Sequence, residues 1–114
     1  MKIGDLVLYS SNLYQISVID WSSLANRFKL KPVAVVTPDQ LRIFDNSEIY
    51  VGNSEKLELF NGSSPKYYVG ERVKYSSTYY FIRFVLIKEG TYYYQLKPEE
   101  TGRSYEWVYE NQLG

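Results

Sequence analysis

The chain has 114 residues, enough for one domain or two very small ones, and its 13 basic and 13 acidic side chains cancel. It has no cysteine and no histidine, which excludes a disulfide framework, a thiolate metal site, the commonest general base and the usual pH switch. Hydrophobic residues make up 45%, so the chain can build a core. It lacks the basic excess of a protein that holds nucleic acid mainly through phosphates, and it shows neither a long apolar run nor a signal-peptide pattern, so it reads as cytoplasmic.

In chain order, Gly4-Asp5-Leu6-Val7-Leu8-Tyr9 opens with a glycine and an acid and continues as a strand, Val7 and Tyr9 inward and Leu6 and Leu8 outward. Ser10-Ser11-Asn12 is a turn. A second strand has Tyr14, Ile16 and Val18 on one face and Leu13, Gln15 and Ile19 on the other. A third ends at Leu30-Lys31-Pro32, where proline can close a strand without wasting a ladder donor. Residues 33–48 read as an insertion: an apolar run, a Thr37-Pro38-Asp39 turn and Leu41-Arg42-Ile43-Phe44. One or two short strands are expected there, with a helix starting at the proline as the alternative. Ile49-Tyr50-Val51 is a fourth strand, Leu57-Glu58-Leu59-Phe60 a fifth, and residues 61–66 a linker.

The pattern then begins again. At a constant offset of 66, residues 4–32 and 70–98 share ten identities over 29 positions, where chance gives about two. Gly4, Val7, Tyr9-Ser10-Ser11, Tyr14, Ile16 and Leu30-Lys31-Pro32 match Gly70, Val73, Tyr75-Ser76-Ser77, Tyr80, Ile82 and Leu96-Lys97-Pro98. Repeat one spans residues 1–60 and repeat two 67–114. In repeat two, Lys88-Glu89-Gly90-Thr91 is a hairpin turn, Glu99-Glu100-Thr101-Gly102-Arg103 the next turn, and 104–108 a fourth strand. A fifth strand is missing or only two residues long, which leaves an edge to be paired or covered.

Gly4-Asp5-Leu6-Val7-Leu8-Tyr9 and Gly70-Glu71-Arg72-Val73-Lys74-Tyr75, with the closing motifs at 49–59 and 107–113, resemble SH3-like barrels of the Tudor and KOW type. The resemblance implies an all-β fold of two small barrels in tandem, the polar turn of each closing motif being a single 3₁₀ turn before the last strand. Repeat one also resembles the Tudor-like, RNA-polymerase-interacting module of CarD-type regulators, although it lacks that module's histidine-glycine turn. Such barrels host many unrelated binding tasks.

No acid–base constellation stands out, so catalysis is not expected, and neither a cofactor nor a metal is implied. Asp5 and Glu71 read as solvated turn residues, and Asp39, Asp45 and Glu48 lack the spacing of a calcium loop. Aromatic residues reach 18%, with 13 tyrosines. Tyr79, Tyr93, Tyr105, Trp107 and Trp21 are candidates for a cage around a methylated cation, against the plainer reading that strand aromatics form core. Leu6 and Leu8 form an outer apolar strip, and Tyr79, Phe81 and Val85 another on the second strand of repeat two. A second barrel, a second chain or a partner should cover them. The candidate binding surface is therefore Leu6, Leu8, Trp21, Tyr79, Phe81, Val85, Tyr93, Tyr105 and Trp107. These features point to an adaptor or inhibitor that binds another protein, of a kind suited to a phage or mobile element, with a homodimer through the open edge of repeat two as one arrangement. The alternative is a nucleic-acid-associated module, using Arg72, Lys74, Arg83, Lys88 and Lys97 beside the aromatic rings. Basic residues gathered around aromatic rings would favour nucleic acid; an apolar patch with scattered charge would favour protein.

Overall fold

Two serines in each repeat set the first hairpin. Ser10 and Ser11 have φ of 49° and 65°, and Ser76 and Ser77 have 52° and 63°. Two successive left-handed residues make the tight turn whose twist matches that of the flanking strands. Each turn joins a four-residue strand to a longer one: β1 (Leu6–Tyr9) to β2 (Asn12–Ile19), and β7 (Arg72–Tyr75) to β8 (Thr78–Lys88). The computed structural model describes residues 1–36, 47–60 and 64–113. Most of the insertion, the middle of which carries Asp39, Leu41-Arg42-Ile43-Phe44 and Asp45, lies outside the described residues, as do residues 61–63 of the linker and Gly114.

The protein is all-β. One five-stranded sheet has the order β5-β3-β2-β1-β6, with β3 (Phe28–Pro32), β5 (Ile49–Val51) and β6 (Glu58–Leu59). The second runs β10-β9-β8-β4, with β7 also on β8, and adds β4 (Ala34–Val36), β9 (Thr91–Pro98) and β10 (Glu106–Tyr109). Neither sheet closes into a barrel through the strand pairings of the described residues. Single 3₁₀ turns, Ser54–Lys56 and Glu110–Gln112, follow β5 and β10 and deliver Leu57 and Leu113 to the interior. No strand pairs with the free edge of β7 among the described residues.

The two repeats agree in fine detail. Gly4 N–H donates to the Ile16 carbonyl and Gly70 N–H to that of Ile82, both at 2.8 Å. Both glycines sit at φ near +95° (96° and 95°), where a side chain would be strained. Tyr9 meets Tyr14 edge to face at 6.4 Å, and Tyr75 meets Tyr80 at 6.2 Å. The register of β2 on β3 shifts between Ile16 and Val18, and that of β8 on β9 shifts between Ile82 and Phe84.

That bulge corrects the strict alternation expected for the second strands. One extra residue reverses the faces downstream of it. Val18 is exposed instead of inward, and Phe84 shares a face with Phe81 rather than with Ile82. Val85, expected outside, is fully buried opposite Tyr94.

The repeats are joined by more than a linker. The 33–36 run contributes β4, which lies parallel to the far half of β8, Ala34 opposite Leu86. Val33 is buried beside it, while Val35 of β4 is 54% exposed. Leu6, expected on an outer surface, is only 3% exposed. It does face away from the core of its own repeat, formed by Val7, Ile16, Phe28, Leu30, Val51 and Leu57. With Leu13, Val33 and Phe60 it packs instead into the larger core of repeat two, around Tyr80, Ile82, Tyr94 and Leu96. Gln15, on the same outer face, is fully buried at this seam. Its Nε2 donates to the carbonyls of Gly4 (3.2 Å) and Tyr67 (2.9 Å), and its Oε1 accepts from the Val69 N–H (2.9 Å). Phe81 lies outside this seam.

Candidate aromatic and basic interface

The outer face of the second sheet presents Arg72 and Lys74 from β7, Tyr79, Phe81 and Lys88 from β8, Tyr93, Gln95 and Lys97 from β9, and Trp107 and Tyr109 from β10, with Phe84 and Leu86 of β8 on the same side but buried. Cross-strand register makes them neighbours: Arg72 opposite Phe81, Lys74 opposite Tyr79, Phe81 opposite Lys97, and Trp107 opposite Gln95. Arg83 sits at the bulge beside them. No acidic residue occupies this strand face; the acids of repeat two lie at turns, strand ends and the 3₁₀ turn.

Cations and rings interleave. The Arg72 guanidinium lies 3.7 Å from the Tyr79 ring centre, braced by two hydrogen bonds to Glu99 (3.1 and 3.0 Å). Arg83 lies 4.8 Å from the Phe84 ring and 5.1 Å from that of Tyr105, and donates to Gln95 Oε1 at 3.1 Å. Lys88 stands over Tyr93 (4.8 Å) and Tyr109 (5.7 Å). Trp107 stacks on Tyr93 at 5.3 Å with 16° between planes. Such contacts hold the rings in fixed orientations and cost the chain little entropy when a ligand arrives.

The candidate residues divide accordingly. Tyr79, Phe81, Tyr105 and Trp107 are exposed on this one face, with the half-buried Tyr93 between Trp107 and Tyr109. They do not converge on an empty cage, because Arg72, Arg83 and Lys88 already stand against Tyr79, Tyr105 and Tyr93. Leu6 and Val85 belong to the interior, and Leu8 is half-buried. Trp21 is 67% exposed but lies on repeat one, edge to face with Phe28 and under Arg27 at 5.4 Å.

Sequence reasoning missed the loop around Trp21. Asp20 accepts from the Ser22 N–H and hydroxyl (3.0 and 2.6 Å), and these bonds hold its carboxyl below the usual range. Leu24, 83% exposed, is carried at the tip. Gly52 is required beneath it, since a Cβ there would stand 2.3 Å from the Leu24 carbonyl oxygen. The Asp-x-Ser-Ser spacing was the available signal.

Two carboxyls elsewhere are held rather than poised. Glu71 is pushed up by burial, partly offset by the Tyr68 amide, and its Oε2 has no hydrogen-bond partner among the described residues. Tyr94 donates to Glu110 Oε1 at 2.8 Å, and burial drives the phenol far above its ordinary value. No group of three or more metal-ligating side chains occurs among the described residues, and none of their helices is long and apolar enough to cross a membrane. In comparisons with known proteins, no family model, curated protein or solved structure matches the chain.

Proposed function

We propose that the chain is a non-catalytic binding module that takes single-stranded nucleic acid on the outer face of its second sheet. The observation that carries this reading is the sorting of charge: five basic residues, Arg72, Lys74, Arg83, Lys88 and Lys97, share a face with the rings of Tyr79, Phe81, Tyr105 and Trp107; Glu99, just past β9, pairs with Arg72, and no acid on the strands stands among the other four. Bases stack on exposed rings whatever their sequence, and nearby cations meet the phosphates. The neutral total does not oppose this, because the ligand meets one face and not the average. The strand order β6-β1-β2-β3-β5, with a 3₁₀ turn before the last strand, supports describing repeat one as SH3-like, of the Tudor or KOW type; the internal repeat extends that description to repeat two.

Fluorescence anisotropy with labelled oligothymidylate and oligouridylate, at several salt concentrations, tests the reading. Trp107→Ala and Phe81→Ala should each weaken binding by about 5- to 100-fold, the loss of one base stack. Absence of binding at low salt, or full affinity in both variants, overturns it. A protein partner is the second reading, favoured by Trp21 and Leu24 displayed on the braced loop of repeat one. Loss of a captured partner on Leu24→Asp, with oligonucleotide binding absent, would support it.

A further inference from the structure

Where the outer faces of the two sheets meet, a cleft of about 330 Å³ opens between the repeats. Lys29 and Lys31 line it from β3 of repeat one, and Phe81, Arg83 and Lys97 line it from β8 and β9 of repeat two. One carboxylate serves the first wall: Glu48 Oε2 lies 2.9 Å from Lys29 Nζ and 2.7 Å from Lys31 Nζ. Among the described residues the second wall has none. Arg83 is held in place by neutral Gln95 and by two rings, and Lys97 forms no ion pair among the described residues. Among the described residues, four cations against one carboxylate leave a net charge of +3 around one cleft. Like charges focused in a concave site repel one another and concentrate an anion.

We infer that this cleft holds the phosphate backbone of the strand whose bases lie on the second sheet, so that both repeats grip one ligand. The inference rests on the reading above and extends it to repeat one. Phe81 makes the two surfaces continuous, since it lines the cleft and stands on the aromatic face. The Arg83 guanidinium fork pairs with phosphate and carboxylate alike; a nucleic-acid strand suits the surface better than an acidic peptide because its bases bring aromatic planes to the rings beside the cleft, which Asp and Glu side chains lack. Glu48 occupies part of the position a phosphate oxygen would take against Lys29 and Lys31, so it competes with the ligand.

Anisotropy titrations of labelled oligothymidylate against NaCl concentration, on the full chain, separate the two surfaces. Lys29→Met with Lys31→Met keeps the apolar stems and removes two charges that belong to the cleft and not to the second sheet. This pair should lower the slope of log affinity against log salt by about 1.4, at roughly 0.7 per phosphate contact on a single strand. Glu48→Gln should tighten binding several-fold. Trp107→Ala should weaken binding and leave the slope unchanged. In parallel, side-chain NMR with inorganic tripolyphosphate should shift the Lys29, Lys31, Arg83 and Lys97 signals. An unchanged slope in the double variant, with Trp107→Ala still weakening, overturns the cleft and spares the sheet. Tripolyphosphate shifts without any oligonucleotide binding overturn the sheet reading and with it the shared ligand. Polyglutamate binding as tightly as the oligonucleotide, with the same slope, overturns the choice of phosphate in favour of an acidic protein.

Discussion

Replacing Gln15 by Leu removes the polar link between the repeats while nearly preserving volume. Three hydrogen bonds disappear, and the Gly4 carbonyl, the Tyr67 carbonyl and the Val69 N–H lose their side-chain partner. A buried backbone group left without a partner costs about 1–3 kcal/mol. Gly4, Tyr67 and Val69 are half-buried, so water reaches some of these groups and the low end of that range applies to each. Gln15→Leu should therefore lose about 3 kcal/mol. The repeat supplies its own control: the equivalent of Gln15 is Phe81, which is 36% exposed and lies outside the seam, so Phe81→Gln loses only partly covered apolar surface and should cost about 1 kcal/mol. Urea unfolding gives both values. Hydrogen exchange at the Val69 amide reads the seam directly, and its protection should collapse in Gln15→Leu. An unchanged midpoint together with an unchanged Val69 exchange rate would refute the reasoning.

Other outcomes follow from single features. Ile16→Ala and Ile82→Ala each empty a fully buried site and should cost about 2–5 kcal/mol in denaturant melts. Ser77→Gly relieves a left-handed residue and should raise stability by about 1 kcal/mol, less whatever flexibility glycine adds to the unfolded chain. Glu71 has a folded-state pKa raised above its ordinary 4.5, so the folded chain holds this proton more tightly than the unfolded one. Stability should fall as pH rises through the window above 4.5, and Glu71→Gln should abolish that fall; parallel pH profiles for the two proteins would contradict the assignment.

The repeat was legible because the positions that shape it are the ones that recur: the left-handed glycine, the serine pair, the tyrosine pair and the closing Leu-Lys-Pro. The bulge was not, since neither Ser17 nor Arg83 is a residue that marks one, and everything downstream changed face. Leu6 was readable as an outward residue in need of cover, but alternation does not say what covers it. The rings and cations of repeat two were visible as a composition. Their union with Lys29 and Lys31 was hidden, because those lysines belong to the other repeat and meet Arg83 and Lys97 only through the seam.

The seam is also directional. Repeat one offers the back of its first hairpin, Leu6, Leu13 and Gln15, to the open core of repeat two. The back of the second hairpin is built on the same plan, but the core of repeat two is already filled by repeat one, so with apolar residues in place this back would be an uncovered strip that could only form an apolar core with a second copy. At the positions equivalent to Leu6 and Leu8 the chain carries Arg72 and Lys74, whose charges would be stranded in such a core. The same two cations that furnish the outer face would therefore oppose such a contact between copies. Arg72→Leu with Lys74→Leu should turn a monodisperse solution into one whose sedimentation depends on concentration; a single unchanged species would show that the charges have no such role.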